Sequence, residues 1–453
     1  MKSAEIEAFI DTVNLVAVLD HSGRAGNSFV LAIFDQHPEV LTCGWLHYAY
    51  SYLLAKYGDS DELDAVEAHT YWSTESYFRF LYQEADEAAR KRLSRIGGDT
   101  DVELNRSVVR EVFDGFVLSK QRISRKALLL SSYYAFAAGA GRDLSAVKYV
   151  LVDDAVSLRG ENPDIGFSGK AIHAMVEDFS RPKLVSLVRD PRAAFASTRH
   201  QYVNEMGNMY GYRPSTFLRK LISLMRCKLT SEDCACLYIW FYHSEAARTV
   251  YRLKDQYPEL FYTLKNENLN LNFLPTIEKF CDWLGVSRFP AWSEQPYVPT
   301  MMGAPWKGTG AYNKSYYKQE SYGPLKNDPP EVAAKVTGPN EYVTKRWRSR
   351  LSSSEIKLCE VIFKDELEDL DYPFLFDNRP SASTLKFLGS AFAPFKGELP
   401  KLSWLIAGNN LGLSEVLNRL FYSVTFPVFY LTSRIVLVDL YVRRKFFGLK
   451  RKH

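Results

Sequence analysis

The chain is poor in cysteine, nearly balanced in charge, and without a long uninterrupted apolar run. Six cysteines in 453 residues are too few for a disulfide framework, and Cys234 and Cys236 lack the two-residue spacing and partner ligands of a zinc site. They read as free thiols in a reducing compartment, and no metal is expected. Lys and Arg total 57 against 53 Asp and Glu. That excess is too small for a nucleic-acid partner, which asks for a basic stripe and a higher pI. Met1 to Ile10 carries Glu5 and Glu7 and no apolar run of signal-peptide length, so a cytoplasmic site of action is expected. The uncharged stretch Leu420 to Ser433 is only 14 residues and holds Pro427, short of the ~20 that a spanning helix needs. With 46% apolar and 24% charged residues and no polar tract, the composition is that of a globular protein rather than a disordered or fibrous one.

What the chain does contain is an alternation of strand and helix signals. Leu15-Val-Ala-Val-Leu19 is apolar and rich in β-branched residues, and Asp20-His-Ser-Gly23 ends it, which predicts a buried strand. Ser28 to Gln36 then carries apolar positions at helical spacing, and His37-Pro38 stops that helix because proline disfavours the helical state of the residue before it. From about Leu53 to Ala146 the chain is helix-prone and charged and reads as a helical insertion. Val147 to Val152, Lys183 to Val188 and Leu260 to Leu264 predict further strands. Together these describe an α/β fold with a central parallel sheet flanked by helices. Arg346 to Glu368 reads as one closing amphipathic helix. Residues 1–376 form the core domain and 377–453 an extension.

That extension ends in a basic segment. From Arg434 to His453 there are seven Lys or Arg and one Asp, a net of +6 that leaves the rest of the chain slightly acidic. Basic residues interleaved with Phe446 and Phe447 are the pattern of an amphipathic segment lying on an anionic membrane surface. A helix packed on the domain, or on a second subunit in a homo-oligomer, fits the same residues.

Two loops carry the candidate chemistry. In Leu19-Asp-His-Ser-Gly-Arg-Ala-Gly-Asn-Ser-Phe29, Gly23 and Gly26 allow a tight turn between strand and helix, and free N–H groups at the helix start suit an anion. A P-loop NTPase places a lysine after its second glycine, whereas this loop has Asn27 there and its cation earlier, at Arg24. That disfavours a small-molecule kinase. The second loop puts Arg189 at a strand end and Ser197 eight positions later, where an arginine fork and a hydroxyl could grip a phosphate. Taken alone, the first loop could equally be a turn without a ligand, and the Arg-Asp-Pro turn a helix cap. Both, however, leave strands at the carboxyl edge of the sheet, where ligands of open α/β folds bind.

The run Gly23 to Val40 resembles the 5′-phosphosulfate loop of carbohydrate sulfotransferases, in which Arg-Ser-Gly-Ser-Ser-Phe precedes a helix ending in Gln-His-Pro. Val188 to Ser197 is similar to the same family's 3′-phosphate motif. Weaker similarities lie at Tyr262 to Leu269, Phe280 to Gly285 and Pro305 to Thr309, so the resemblance spans about Val13 to Phe376. It implies a P-loop-type sulfotransferase fold and transfer of a sulfuryl group from 3′-phosphoadenosine 5′-phosphosulfate (PAPS), without metal, to a glycan or lipid-linked acceptor. By that resemblance Arg24 is the catalytic cation. Gly23, Ala25, Gly26, Asn27 and Ser28 hold the 5′-phosphate, Arg189 and Ser197 the 3′-phosphate, and Trp306, Lys307 and Gly308 cover the nucleotide.

One departure stands out. Sugar-specific members often carry Glu-Pro shortly after the first helix, and the matching residues here are Trp45-Leu46. His47 is the nearest substitute base, since an unperturbed imidazole pKa near 6.5 suits proton removal at neutral pH. His21, His69 and Glu67 are the alternatives. Without a base, the chain would be a nucleotide-binding pseudoenzyme of the same fold.

Overall fold

The computed structural model describes residues 2–20, 24–95, 102–156, 167–197, 235–294, 296–306, 308, 338–376, 384–395 and 412–442. Helix α1 (Lys2–Thr12) leads into strand β1 (Asn14–Asp20), followed by α2 (Asn27–Phe34), β2 (Val40–His47) and α3 (Ala49–Tyr57). The insertion comprises β3 (Glu62–Asp64), α4 (Ala65–Thr74), α5 (Arg79–Tyr82), α6 (Glu87–Arg95), α7 (Arg106–Val117), β4 (Arg122–Ser124) and α8 (Arg125–Gly139). The sheet then resumes with β5 (Tyr149–Ala155), α9 (Lys170–Asp178), β6 (Lys183–Val188) and β7 (Phe261–Lys265).

Five strands make one parallel sheet in the order β2-β5-β1-β6-β7, as the alternation of signals predicts. Leu15 to Leu19 are fully buried on both faces, which is why β1 is a continuous apolar run rather than an alternating one. Strand β1 lies between β5, in register from Asn14↔Tyr149 to Asp20↔Ala155, and β6, from Val16↔Lys183 to Leu19↔Ser186. The connection leaving β1 runs to one side of the sheet and the connection leaving β6 to the other. Their divergence at the carboxyl ends of β1 and β6 is the switch point where open α/β sheets leave a crevice.

The insertion is helical, as its composition implies, with a two-stranded antiparallel ribbon of β3 and β4 at its base. On α7 the buried residues Val109, Val112, Phe113, Phe116 and Val117 follow helical spacing, and α8 packs on them. Asp64, Asn105 and Ser124 cap α4, α7 and α8 by accepting main-chain N–H groups.

Two elements differ from the sequence reading. Strand β2 carries no strand signal in the sequence: all eight of its residues are buried, and its pairing with β5 shifts between Thr42 and His47, so no period of two survives. The closing helix expected over 346–368 is broken into Trp347–Arg350, Ser353–Ile362 and Lys364–Asp369, after a short Glu341–Lys345. The break falls at Ser352, whose hydroxyl accepts from Glu355 N while the Glu355 carboxylate accepts from Ser352 N, a reciprocal cap that starts a new helix.

Among the described residues the extension supplies the helices Thr384–Ala391 and Leu413–Val442. Phe387, Ala391, Phe395 and Leu437 bury together with Ala193, Phe195, Trp347, Leu358 and Phe363 in a second core. The extension therefore shares its packing with the helix over 191–197 that follows β6.

Candidate functional site

The first loop is shaped by positive φ. Arg24 (φ 63°) and Gly26 (φ 117°) both take left-handed backbone on either side of Ala25. Such a turn points successive N–H groups into one concavity, and a non-glycine residue held there stores strain of about 1–3 kcal/mol. At Gly26 a side chain is excluded twice over. The φ disfavours it, and a Cβ would stand 2.2 Å from the Asn266 amide nitrogen. Gly26 precedes α2 without a side-chain cap, and its carbonyl already accepts from Phe29 and Val30 N–H. No acceptor among the described residues meets the main-chain N–H groups of Asn27 and Ser28, the first of the helix.

Asn27, in the place of the P-loop lysine, is buried and turned inward, with Nδ2 donating to Asp153 Oδ1 at 2.6 Å. Asp153 sits at the end of β5 and its other oxygen meets His47 Nδ1 at 2.8 Å. His47 Nε2 lies 2.5 Å from the Gly44 carbonyl. The ring is 2% exposed, and each of its nitrogens lies within hydrogen-bond distance of an acceptor. A base needs an open lone pair toward its substrate, and this setting offers none. The residue expected to take the acceptor's proton thus has a carboxylate at Nδ1 and a carbonyl at Nε2.

The alternatives are placed differently. His69 donates to Asp114 at 2.7 Å and stacks on Phe113 inside the insertion. Glu67 is exposed on α4, 3.5 Å from Lys56. His21, Gly23 and Lys307 lie outside the described residues.

The second loop meets the first. Arg189 Nη1 donates to the Arg24 carbonyl at 2.8 Å, and Arg24 Nε donates to Ser197 Oγ at 3.4 Å, joining residues more than 160 positions apart. The Arg189 fork is not open for a two-handed grip, since Nη2 donates to the Val343 carbonyl at 3.0 Å. Its buried Nε meets no hydrogen-bond partner among the described residues. Burial pushes the Arg189 guanidinium below its ordinary pKa, the Glu267 carboxylate opposes that shift, and the Arg24 cation adds to it. A buried cation with an orphaned donor is a setting that an incoming anion relieves. Ala25 and Ser197 are buried beside it, and Ser28 is half-buried.

Behind the loop, Asp190 N donates to Glu267 Oε1 at 3.0 Å, and Tyr372 donates to Glu267 Oε2 at 2.6 Å. Burial raises the Glu267 pKa, while Tyr372 and Arg189 counter it. Trp306 has its ring stacked on Phe29 at 5.2 Å, on the face of α2, and Gly308 is buried in left-handed backbone (φ 74°). Among the described residues no cluster of His, Cys, Asp or Glu could hold a metal ion.

No protein-family model matches the chain, and no curated relative matches it. Solved structures do match. The sulfotransferase domain from the curacin biosynthetic pathway aligns at 11% identity over 80% of this chain and 99% of its own, with a TM-score of 0.39. The sulfotransferase domain from the Synechococcus PCC 7002 olefin synthase aligns at 14% identity over 80% of this chain and 97% of its own, with a TM-score of 0.41.

Of the residues singled out in the sequence, Arg24, Ala25, Gly26, Asn27, Ser28, Arg189 and Ser197 come together at one sheet edge. Trp306 packs against the helix that begins there. Asp153 escaped the sequence reading, and Asn266 and Glu267 fell within the singled-out stretch Tyr262 to Leu269 without being given a role. Asp153 follows the apolar run of β5 directly, so the rule that polar residues at strand ends serve the crevice would have found it. Asn266 and Glu267 follow β7 in the same way.

Proposed function

We propose that the chain transfers a sulfuryl group from PAPS to a hydroxyl of a glycan or lipid-linked acceptor. The observation that carries this reading is the contact of Arg24 with Ser197 and of its carbonyl with Arg189, in the loop that leads into helix N–H groups met by no acceptor among the described residues. PAPS, when bound, supplies the activated sulfuryl group. Sulfuryl transfer, like phosphoryl transfer, asks for in-line positioning and for stabilisation of charge on oxygens rather than covalent help. The N–H groups from Ala25 to Ser28 would hold the 5′-phosphate, and Arg24 would offer its cation to the oxygens between donor and acceptor. Ser197 and Arg189 Nε would receive the 3′-phosphate, with Trp306 and Gly308 on the side of α2. His47 serves as a positioning residue: through Asp153 it fixes Asn27 and hence the start of α2.

Asn27 counts against ATP chemistry, because the residue at the P-loop lysine position is tied into the protein. Engagement of both His47 nitrogens favours a second reading, a nucleotide-binding protein of this fold that performs no transfer.

Thermal unfolding with ligands tests both. Adenosine 3′,5′-bisphosphate should stabilise the protein by about 2.7 kcal/mol at a hundredfold excess over Kd. ATP with magnesium should do much less, and equal or greater stabilisation by ATP overturns the assignment. Stabilisation without label transfer from PAPS to any acceptor extract selects the second reading.

A further inference from the structure

Helix Leu413–Val442 turns two unlike faces outward and inward. Its inner face is docked through its C-terminal half: Arg434 and Leu437 are buried, Arg434 lies 4.1 Å over the Phe395 ring, and Tyr441 stacks on Phe387 at 3.7 Å. Its outer face is apolar. A stripe from Leu413 to Ile435 runs through Leu417, Leu420, Val424, Val428 and Leu431, each between 50% and 76% exposed. The steps are all of four or three residues and average close to one helical turn, so the stripe stays on one side for about 33 Å. Soluble surfaces rarely leave so long an apolar strip uncovered.

Three observations choose what covers it. No helix among the described residues is long and apolar enough to cross a membrane, so the stripe lies along a surface rather than through one. From Leu420 to Ser433 no charged residue flanks it, whereas paired helices set their register through flanking charges. The sequence beyond Val442 then brings Arg443, Arg444, Lys445, Lys450, Arg451 and Lys452 with Phe446 and Phe447 among them. Anionic headgroups neutralise such a segment at about 1 kcal/mol per basic residue.

We propose that this helix lies flat in the headgroup layer of an anionic bilayer, with the stripe from Leu413 to Ile435 facing the acyl chains. The proposal is independent of the reaction assigned to the crevice.

Sedimentation of the full chain with vesicles tests it, using phosphatidylcholine alone and phosphatidylcholine with about one third phosphatidylserine. Binding to the anionic vesicles should exceed binding to the neutral ones about tenfold and fall with added salt. The combined variant Leu420→Glu, Val424→Glu and Leu431→Glu should lose at least about tenfold of that binding, and Val424→Gln alone a smaller part. Unchanged circular dichroism and melting certify the fold of each. Absence of binding by the parent chain, or undiminished binding by the folded variants, overturns the proposal. So does a lipid-free dimer in light scattering that the Glu variant converts to monomer, since a second copy would then cover the stripe.

Discussion

The loops that follow β1 and β6 leave neighbouring strands at the same edge, yet they are built in opposite ways. The first, from Arg24 to Ser28, takes left-handed backbone at Arg24 and Gly26, and among the described residues no acceptor meets its Asn27 and Ser28 N–H groups. The second is closed by charge. Arg192, 1% exposed, holds Asp190 through Nε and Nη2 and Glu360 through Nη1 at 2.6 Å, and its guanidinium covers Trp347. Glu360 in turn accepts Leu375 and Phe376 N–H. An anion site of the kind proposed would need one wall with unspent donors and another rigid enough to hold them in place. These loops divide those tasks.

The comparison can be broken at its strongest point first. Removing the cation of the first loop, Arg24→Ala, should lower transfer from PAPS by about a thousandfold while melting changes little, as for loss of a charge-stabilising donor. A steady-state assay beside a melting curve checks this, and comparable turnover would remove Arg24 from the reaction. Removing the cation of the second loop should do the reverse. Arg192→Ala leaves Asp190 and Glu360 buried without their counter-ion and should destabilise the fold by about 3–5 kcal/mol. Chemical denaturation measures it, and a loss below ~1 kcal/mol would mean that the loop is not locked by this pair.

A smaller effect belongs to Gly26→Ala, which meets both the positive φ and the Asn266 amide. It should cost about 1–3 kcal/mol and weaken binding of adenosine 3′,5′-bisphosphate. Titration calorimetry on the folded variant separates the two losses, and unchanged affinity would show that the turn does not shape the anion site.

The smallest effect is a pH dependence at the far end of α2. His37 accepts from Glu39 N through Nδ1, and its Nε2 meets the Ser287 carbonyl, an arrangement of the neutral ring. Burial pushes its pKa below 6.5, so the folded state binds a proton less readily than the unfolded one. Its contribution is complete above the unfolded pKa near 6.5 and is lost as pH falls below that value toward the folded one. Melting temperature should fall as pH drops below about 6.5, and His37→Gln should flatten that part of the profile. His173, also lowered by burial, shifts in the same direction, so the residual slope in His37→Gln reports on it.

Where the two loops lie in the fold was legible because it is local. A strand, a small-residue turn and a helix start are set by neighbours in the chain, so Arg24 to Ser28 could be found from spacing alone. The same holds for Arg189 and Ser197, one strand end and one helix apart. Partners were not legible. Nothing near Asn27 in the sequence announces Asp153, and nothing near Arg192 announces Glu360, because those pairs close over more than a hundred residues. His47 shows the cost: by proximity it reads as a base, and in the fold it is bound between a carboxylate and a carbonyl. Strand β2 hid for a related reason, since a buried edge strand with a shifted register has neither alternation nor a β-branched run.

Composition and periodicity by themselves determined the α/β class, the parallel sheet, the helical insertion, the two loops and the basic end of the chain. These depend on backbone propensity, burial of apolar runs and charge counts, all of which act over a few residues. The tertiary structure alone decided which donors remain open, which cations are already spent, and which side of Leu413–Val442 is left bare. Hydrogen bonds and packing between distant segments settle those questions, and their partners are chosen only when the strands are laid side by side.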